Sequence, residues 1–431
     1  MPVKDIDVDY IARVEGQGQL RIRTLDGNVD LVEFGIFEPP KFFEAFLLGR
    51  KYTEVHELTS RICGICPVPH QIAALRAVEN AMGIEVSEQT EALRKLLSYG
   101  SHIQSHVLSL YFLTAPDYLG YDSIITMAKD KPQLVKRALK LKKLGNDIEE
   151  VVGARAVHPT AAVVGGFTEI PKKRKMEELK RRLVDSMSDA VETARFASRL
   201  ELPKFERRCE HIALGSNNEY PIIKGRLVST EGLNVEEVQY RQFFKESQVD
   251  YSWAKHSTVV DRGSFLVGPL ARVNLNHKRM SERSQELLDE AGFKPLVFNP
   301  FMHVVARAAE VANAVETSIE IIDNLKYEDE AVVEDSFKPK AGEGYAVVEA
   351  PRGILYHNYR FNDEGIVEKA DIVTPTAHFA RNVENDLREF VPQIIANPLK
   401  AATLRCEMLV RAYDPCISCS VHLQKVDKRT A

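Results

Sequence analysis

Hydrophobic and polar residues alternate along residues 19–36, on both sides of an Asp26-Gly27 dipeptide. A period of two residues is typical of a β-strand with one buried face, and an Asp-Gly pair favours a tight hairpin turn. We therefore predict a β-hairpin here. Short strand patterns return over residues 345–373, where Glu364-Gly365 marks a second predicted hairpin.

Between these segments, apolar residues recur every three or four positions, which is the spacing of one face of an α-helix. The predicted helices cover residues 70–82 with a C-cap at Gly83, 87–110 with an N-cap at Ser87, 172–196 and 303–325. Their opposite faces are rich in charge. Several long amphipathic helices of this kind are typical of a bundle.

The pattern predicts a mainly α fold, with a central bundle of long helices and small α+β portions formed by the N- and C-terminal segments. We divide the chain into an N-terminal β-hairpin/α segment (residues 1–60), a helical bundle (61–330) and a C-terminal α+β segment (331–431). No repeat or low-complexity linker separates these parts, so we expect them to pack as one unit.

The composition narrows the class of protein. The 431 residues include 57 basic and 62 acidic side chains, and this balanced net charge of −5 argues against a nucleic-acid partner. The sequence has no apolar run of membrane-spanning length and its N-terminus lacks an apolar signal core, so we expect a cytoplasmic protein with no membrane insertion. Six cysteines are too few for a disulfide framework.

Four of those cysteines form two CxxC pairs, Cys63/Cys66 and Cys416/Cys419, near opposite ends of the chain. CxxC lets two sulfurs of one loop reach the same metal, and thiolate suits zinc, copper(I), nickel or iron. Spacing alone leaves a structural zinc site with four cysteine ligands open. A thioredoxin-like redox pair fits less well, because neither motif follows a strand in a βαβ context.

The sequences around the two pairs, RICGICPVPH at residues 61–70 and DPCISCSVH at residues 414–422, resemble the two signature motifs of the large, catalytic subunit of nickel-iron hydrogenases. Further segments similar to the family occur in the family's order, and they cover nearly the whole chain. These segments are RVEG at 13–16, HP at 158–159, GPLAR at 268–272 and EAPRG at 349–353. The compact length resembles the soluble, cofactor-coupled branch.

The resemblance implies a nickel-iron centre that catalyses reversible heterolytic cleavage of hydrogen. Cys63 and Cys416 would be terminal ligands of nickel, while Cys66 and Cys419 would bridge nickel to an iron that carries cyanide and carbon monoxide. By position in its motif, Glu15 matches the family's proton-gate carboxylate beside the cysteine equivalent to Cys416.

Further site residues follow from the same resemblance. Arg352 matches the family arginine over the open metal position, and Asp117 and Asp414 match the acidic residues that hold this arginine. Thr376, next to Pro375, resembles the hydroxyl that hydrogen-bonds a cyanide.

The resemblance also implies a magnesium site, for which Glu44 and His422 match two ligands and Ile372 is our candidate carbonyl donor. His70, in the first signature motif, is expected to support the centre as a hydrogen-bonding neighbour of the ligands.

Electrons need a partner, because only Cys209 and Cys406 remain outside the two motifs and an iron-sulfur cluster takes four cysteines. No complete G-x-G-x-x-G motif is present either. We therefore expect an iron-sulfur small subunit, with iron-sulfur clusters and flavin/NAD(P) on partner subunits. Sulfur or polysulfide reduction is a possible side activity, and the alternative is coupling to a deazaflavin coenzyme or a heterodisulfide reductase.

The last residues, 423–431, follow the motif histidine at which mature subunits of the family end. The resemblance implies that a C-terminal maturation endopeptidase removes such an extension, so we expect the working chain to end at His422.

Overall fold

A computed structural model describes residues 4–25, 28–39, 41–332 and 336–421 of the chain. Its strands are β1 (Lys4–Val8), β2 (Gly18–Leu25), β3 (Asn28–Ile36), β4 (Ala162–Val163), β5 (Gly166–Phe167), β6 (Glu210–Gly215), β7 (Arg226–Ser229), β8 (Asn234–Val235), β9 (Phe244–Val249), β10 (Ser252–Val259), β11 (Phe265–Leu266), β12 (Gly342–Ala350), β13 (Gly353–Phe361) and β14 (Val367–Val373).

The α-helices are α1 (Phe43–Leu47), α2 (Val55–Ser60), α3 (Pro67–Met82), α4 (Glu88–Val107), α5 (Ala115–Leu119), α6 (Ile124–Asp130), α7 (Pro132–Gly153), α8 (Lys173–Ser198), α9 (Tyr240–Phe243), α10 (Pro269–Asn276), α11 (Glu282–Glu290), α12 (His303–Asn324), α13 (Pro375–Ile394), α14 (Leu399–Tyr413) and α15 (Ile417–Ser420). A π-helical segment, Leu108–Thr114, continues α4 into α5.

The core of the molecule is a bundle in which α4 packs on α7 and α12, and α8 packs on α7 and α12. Each of these helices turns its apolar stripe inward. On α8, for example, Met176, Leu179 and Leu183 are buried under a charged outer face. Burial of these stripes, more than helix propensity, holds long helices in place. The predicted mainly α fold is confirmed.

The local predictions agree closely with the observed elements. Helix α3 ends at Gly83, which adopts the left-handed conformation of a C-cap. Helix α4 begins after Ser87, whose hydroxyl accepts the Thr90 N–H. Strands β2 and β3 pair antiparallel as the predicted first hairpin, although its Asp26-Gly27 turn lies outside the described residues. Strands β13 and β14 form the second hairpin around Gly365.

The prediction for residues 61–330 is a helical bundle, and it omits the strands that the structure contains there. Strand β6 lies between β11, to which it is parallel, and β7, to which it is antiparallel, and β8 extends this sheet. Strands β9 and β10 form a separate antiparallel pair. Five successive residues of β6 are buried, so the sequence there shows no alternation of exposed and buried positions. The division into three segments stays a prediction.

The two ends of the chain meet beside the bundle. Strands β12 and β13 pack on α3, which follows the first CxxC loop. A parallel bridge joins Glu15 to Cys416, and an antiparallel bridge joins Ala254 to Val421. The fold thus carries the second CxxC loop to the first. Across the described ranges, the helices include none that is both long enough and apolar enough to cross a bilayer.

Candidate metal centre

The four cysteines of the two CxxC motifs converge on one buried point. The Sγ atoms of Cys63 and Cys416 are 3.4 Å apart, those of Cys66 and Cys419 are 3.6 Å apart, and all four lie within 4.8 Å of one another. Two sulfurs that each bind one metal at about 2.3 Å are separated by at most about 4.6 Å. The sulfur set therefore fits ligands shared by one or two metal ions.

Backbone geometry fixes the first pair. Cys63 lies in the turn between α2 and α3, and Cys66 is the N-cap residue of α3, with Pro67 in the first helical turn. The amides of Ile65 and Cys66 approach the Cys63 sulfur at 3.3 and 3.4 Å. Amide donors and the positive end of a helix dipole stabilise negative charge, so this loop favours a thiolate.

The charge state of the sulfurs also points to a metal. Hydrogen bonds from the other cysteines, led by Cys416, together with the Arg352 charge, hold the pKa of Cys63 well below the ordinary thiol value. Burial raises the pKa of Cys416 and Cys419 well above it. Burial thus opposes a cluster of four thiolates, and bound metal ions supply the positive charge that offsets this cost.

Arg352 lies next to this centre, in the turn between β12 and β13. Its Nε donates to the backbone carbonyl of Asp414 at 2.8 Å, its Nη2 contacts the Asp414 carboxylate at 3.2 Å, and its Nη1 contacts the Ser105 hydroxyl at 3.3 Å. Burial opposes its charge, but Asp414 and the cysteines raise the pKa of Arg352 well above its usual value. The guanidinium is therefore a fixed positive charge beside the sulfurs.

Asp117 does not contribute to this arrangement, and the prediction that it holds Arg352 was wrong. It lies in the first turn of α5 and binds Arg411 of α14, with Nε–Oδ2 and Nη2–Oδ1 distances of 2.7 and 3.2 Å. Arg13 also contacts its carboxylate. Both oxygens of Asp117 are engaged by these two arginines, so Asp414 is the one of the two predicted carboxylates that contacts Arg352.

Glu15 lies against the second CxxC loop. Its Oε2 atom is 3.3 Å from the Cys416 sulfur and accepts the Ser418 N–H at 3.0 Å. Its backbone carbonyl accepts the Ile417 N–H at 2.9 Å. The carboxylate is thus within reach of a proton on the Cys416 sulfur.

Thr376 follows Pro375 in the first turn of α13. Its hydroxyl accepts the Cys416 N–H at 3.0 Å and donates to the Cys416 carbonyl at 3.2 Å. The observed contacts fix the backbone of the second motif. A contact to a cyanide ligand stays a prediction.

The candidate magnesium ligands Glu44 and Ile372 are neighbours. Glu44, on α1, accepts the Ile372 N–H at 2.9 Å. Both line a small cavity of about 10 Å³, together with Cys419 and Val421 among others. His422 and residues 423–431 lie outside the described residues.

His70 belongs to a buried row that the sequence did not reveal. Its Nδ1 is 3.2 Å from Nε2 of His357, and Nδ1 of His357 is 2.6 Å from the Tyr359 hydroxyl. His357 and Tyr359 are two positions apart on β13, so they share a face of the strand. The sequence signal that could have indicated this row is a polar residue, His357, at a buried position of β13.

Known proteins resemble this chain over almost its full length. A family model described as nickel-dependent hydrogenase matches residues 41–137 and 225–422. The alpha subunits of sulfhydrogenase 1 and sulfhydrogenase 2 from Pyrococcus furiosus are 35% and 34% identical to the chain, over 98% of it in both cases and over 98% and 100% of their own lengths.

A solved structure described as an NAD+-reducing [NiFe]-hydrogenase in the H2-reduced state matches with a TM-score of 0.87 at 24% identity. The match covers 97% of this chain and 99% of that one, and at this identity it establishes the fold alone. The fold is that of a hydrogenase subunit. The chain belongs to the nickel-dependent hydrogenase family, and it is an oxidoreductase that carries the hydrogenase catalytic site. Family membership overturns the alternative of a structural zinc protein.

Proposed function

We propose that the sulfur set of Cys63, Cys66, Cys416 and Cys419 holds a nickel ion and an iron ion, with Cys66 and Cys419 bridging them and with cyanide and carbon monoxide on the iron. The observation that carries the proposal is the convergence of four buried sulfurs within 4.8 Å, beside a fixed guanidinium and a carboxylate. When bound, the nickel-iron centre supplies the redox chemistry of hydrogen cleavage and proton reduction.

The residues around the sulfurs move the proton. With the centre bound, the Cys416 sulfur would be a base for a proton leaving it, and Glu15 lies 3.3 Å from that sulfur. Proton transfer to a positioned carboxylate lowers the barrier for removing the proton from the centre. We assign Glu15 this role.

Arg352 has a different role, because an arginine stays protonated and transfers no proton itself. Its charge, held by Asp414, stabilises negative charge at the sulfur centre. In a buried, low-dielectric site such a fixed charge acts strongly. Thr376 and His70 hold the surrounding backbone and side chains in place.

A second ion completes the proposed site. Glu44, the Ile372 carbonyl and His422 would bind magnesium, which prefers oxygen ligands and keeps several waters. The proximity of Glu44 to Ile372 and Cys419 supports this location.

We further propose cytoplasmic partner subunits that carry iron-sulfur clusters, flavin and NAD(P). The support is that, in the described part of the chain, no second group of three or more histidine, cysteine or acidic side chains lies close enough to share a metal ion. The names of the relatives, which are alpha subunits of sulfhydrogenases, and of the NAD+-reducing structural neighbour favour NAD(P) coupling with sulfur reduction as a side activity.

The test uses the complex purified from its native source. Metal analysis is expected to give nickel and iron in near-equal amounts, with infrared bands of metal-bound carbon monoxide and cyanide. Zinc without nickel would overturn the proposed centre. The rates of hydrogen-dependent reduction of NAD+, NADP+, polysulfide and a deazaflavin are then compared. A preference for the deazaflavin would overturn the proposed NAD(P) coupling and leave the proposed metal centre intact. Intact mass of the active subunit shows whether residues 423–431 are removed.

A further inference from the structure

Arg272 of α10 is a fully buried arginine that binds the backbone immediately before Arg352. Its Nη1 donates to the carbonyl of Ala350 and its Nη2 to the carbonyl of Pro351, both at 2.9 Å. These two carbonyls belong to the turn from which the Arg352 side chain extends toward the sulfurs. These hydrogen bonds therefore fix the backbone that determines the position of the Arg352 Cα atom.

Two carboxylates hold Arg272 in that position. Glu310 accepts from Nε at 2.6 Å and from Nη2 at 2.8 Å, and Glu349 accepts from Nη1 at 2.9 Å. With the two carbonyls, these contacts use all five N–H donors of the guanidinium. A lysine has three donors on a single nitrogen and cannot reproduce this planar set.

The carboxylates are themselves fixed. The Tyr220 hydroxyl donates to Glu310 at 2.5 Å, and His106 lies 2.9 Å from the same carboxylate. Glu349 accepts the Leu214 N–H at 2.8 Å. Because Glu310 of α12 and Glu349 of β12 come from different elements and each has a further hydrogen bond, the position of the guanidinium is over-determined.

The other side of the same turn is also closed. Gly268 and Gly353 have φ values of 98° and 136°, where side chains are strained. A Cβ on Gly268 would lie 2.7 Å from the Arg352 carbonyl oxygen, and a Cβ on Gly353 would lie 2.4 Å from Val267. The turn is thus held between close backbone contacts on one side and Arg272 on the other.

We propose that Arg272 is a positioning residue for the hydrogenase reaction, which fixes the Ala350–Pro351 backbone so that Arg352 lies between Asp414 and Ser105 beside the sulfur centre. This inference rests on the role proposed for Arg352. An ion pair that only stabilises the fold is the competing explanation. Buried ion pairs are weak evidence for stability, whereas contacts with both carbonyls before Arg352 are specific to its position.

The chain offers a matched control. Arg94 is also buried, binds both oxygens of Glu79 at 2.7 and 2.6 Å, and donates to the Val163 carbonyl at 3.0 Å. It makes no contact with the turn that carries Arg352. Arg94→Lys therefore imposes a similar loss of buried hydrogen bonds without acting on Arg352.

The experiment compares Arg272→Lys and Arg94→Lys in the purified complex, with isotope exchange between hydrogen and water measured per bound nickel. Because a displacement of about 1 Å can reduce catalysis by about 100-fold, we expect Arg272→Lys to lower the rate about 10- to 100-fold. Arg94→Lys is expected to leave the rate per nickel near the wild-type value. Equal losses in the two variants would overturn the inference.

A double-mutant cycle separates positioning from a general structural effect. If Arg272 acts through Arg352, Arg272→Lys has no further effect in an Arg352→Lys background. Multiplied losses would overturn the inference while leaving the role of Arg352 intact. An Arg352→Lys enzyme that exchanges at the wild-type rate would overturn both roles, so the cycle is read from the reduced rate that Arg352→Lys retains. If Arg272→Lys does not fold, Glu349→Gln replaces it in the cycle, and a loss that disappears in the Arg352→Lys background is expected. No loss, or a loss that persists there, would overturn the inference.

Discussion

Replacement of Glu15 by glutamine isolates the proton-transfer step from metal binding. The Glu15 Oε2 atom lies 3.3 Å from the Cys416 sulfur and accepts the Ser418 N–H. A glutamine carbonyl can still accept that N–H, so the loop and the sulfur set are expected to stay in place. The amide cannot take up a proton at the working pH.

The size of the effect follows from what is removed. A positioned acid or base contributes about 10²- to 10⁴-fold, equivalent to about 2.7–5.5 kcal/mol of barrier. We therefore expect Glu15→Gln to slow isotope exchange between hydrogen and water by that factor, with nickel content and the infrared bands unchanged. Exchange per nickel is measured by mass spectrometry of the gas phase.

Glu38→Gln is the control for this variant. Glu38, which follows β3, accepts the Ser418 hydroxyl at 2.8 Å, so it contacts the same loop, yet the structure gives it no contact with a sulfur. It is expected to retain near-normal exchange. A Glu15→Gln enzyme that exchanges at the wild-type rate would refute the assignment of Glu15.

Three further predictions test the site and its setting. Cys63→Ser should lose most bound nickel, because a hydroxyl is a poor soft-metal ligand, whereas Cys406→Ser should retain it, as metal analysis would show. Asp117→Asn should lower the free energy of unfolding, by about 3–5 kcal/mol if it leaves Arg411 unpaired, while isotope exchange per nickel stays high. Loss of exchange without loss of stability would contradict the observed pairing. Burial of the imidazole and, to a smaller extent, the positive charge of Arg381 lower the pKa of His256 to about 4. The native state therefore binds fewer protons than the unfolded state. The contribution of neutral His256 to the free energy of unfolding is therefore complete above about pH 6.5, and it is smaller by about 2 kcal/mol at pH 5. His256→Gln should flatten this part of the dependence of Tm on pH, and an unchanged slope would contradict the neutral assignment.

The sequence predicts elements whose pattern is local. The helical spacing of apolar residues, the Ser87 N-cap and the Gly83 C-cap each depend on residues close together in the sequence. The helices predicted from them agree with the structure. The CxxC motifs likewise indicate a metal site from their residue type and spacing alone. Three of the middle strands escaped prediction because β6 is buried without alternation and β8 and β11 have only two residues each.

Pairing between distant side chains could not be predicted in the same way. Asp117 was expected to pair with Arg352 but binds Arg13 and Arg411, which lie 104 and 294 positions away and reach it only in the folded chain. The row from His70 through His357 to Tyr359 depends on β13 lying against α3. Such contacts join residues separated by up to several hundred positions.

The bridge between Glu15 and Cys416 also bears on how ions enter and leave. The second pair of sulfurs belongs to the last described stretch of chain, residues 416–421, which is held by backbone pairing to Glu15 and Ala254 and by the Thr376 hydroxyl. The first pair is fixed at the start of α3. Separation of the two sulfur pairs therefore requires residues 416–421 to leave their place, where Ile417 and Val421 are buried. The lifetime of a loaded centre is thus expected to depend on the contacts of this short stretch as well as on the metal-sulfur bonds.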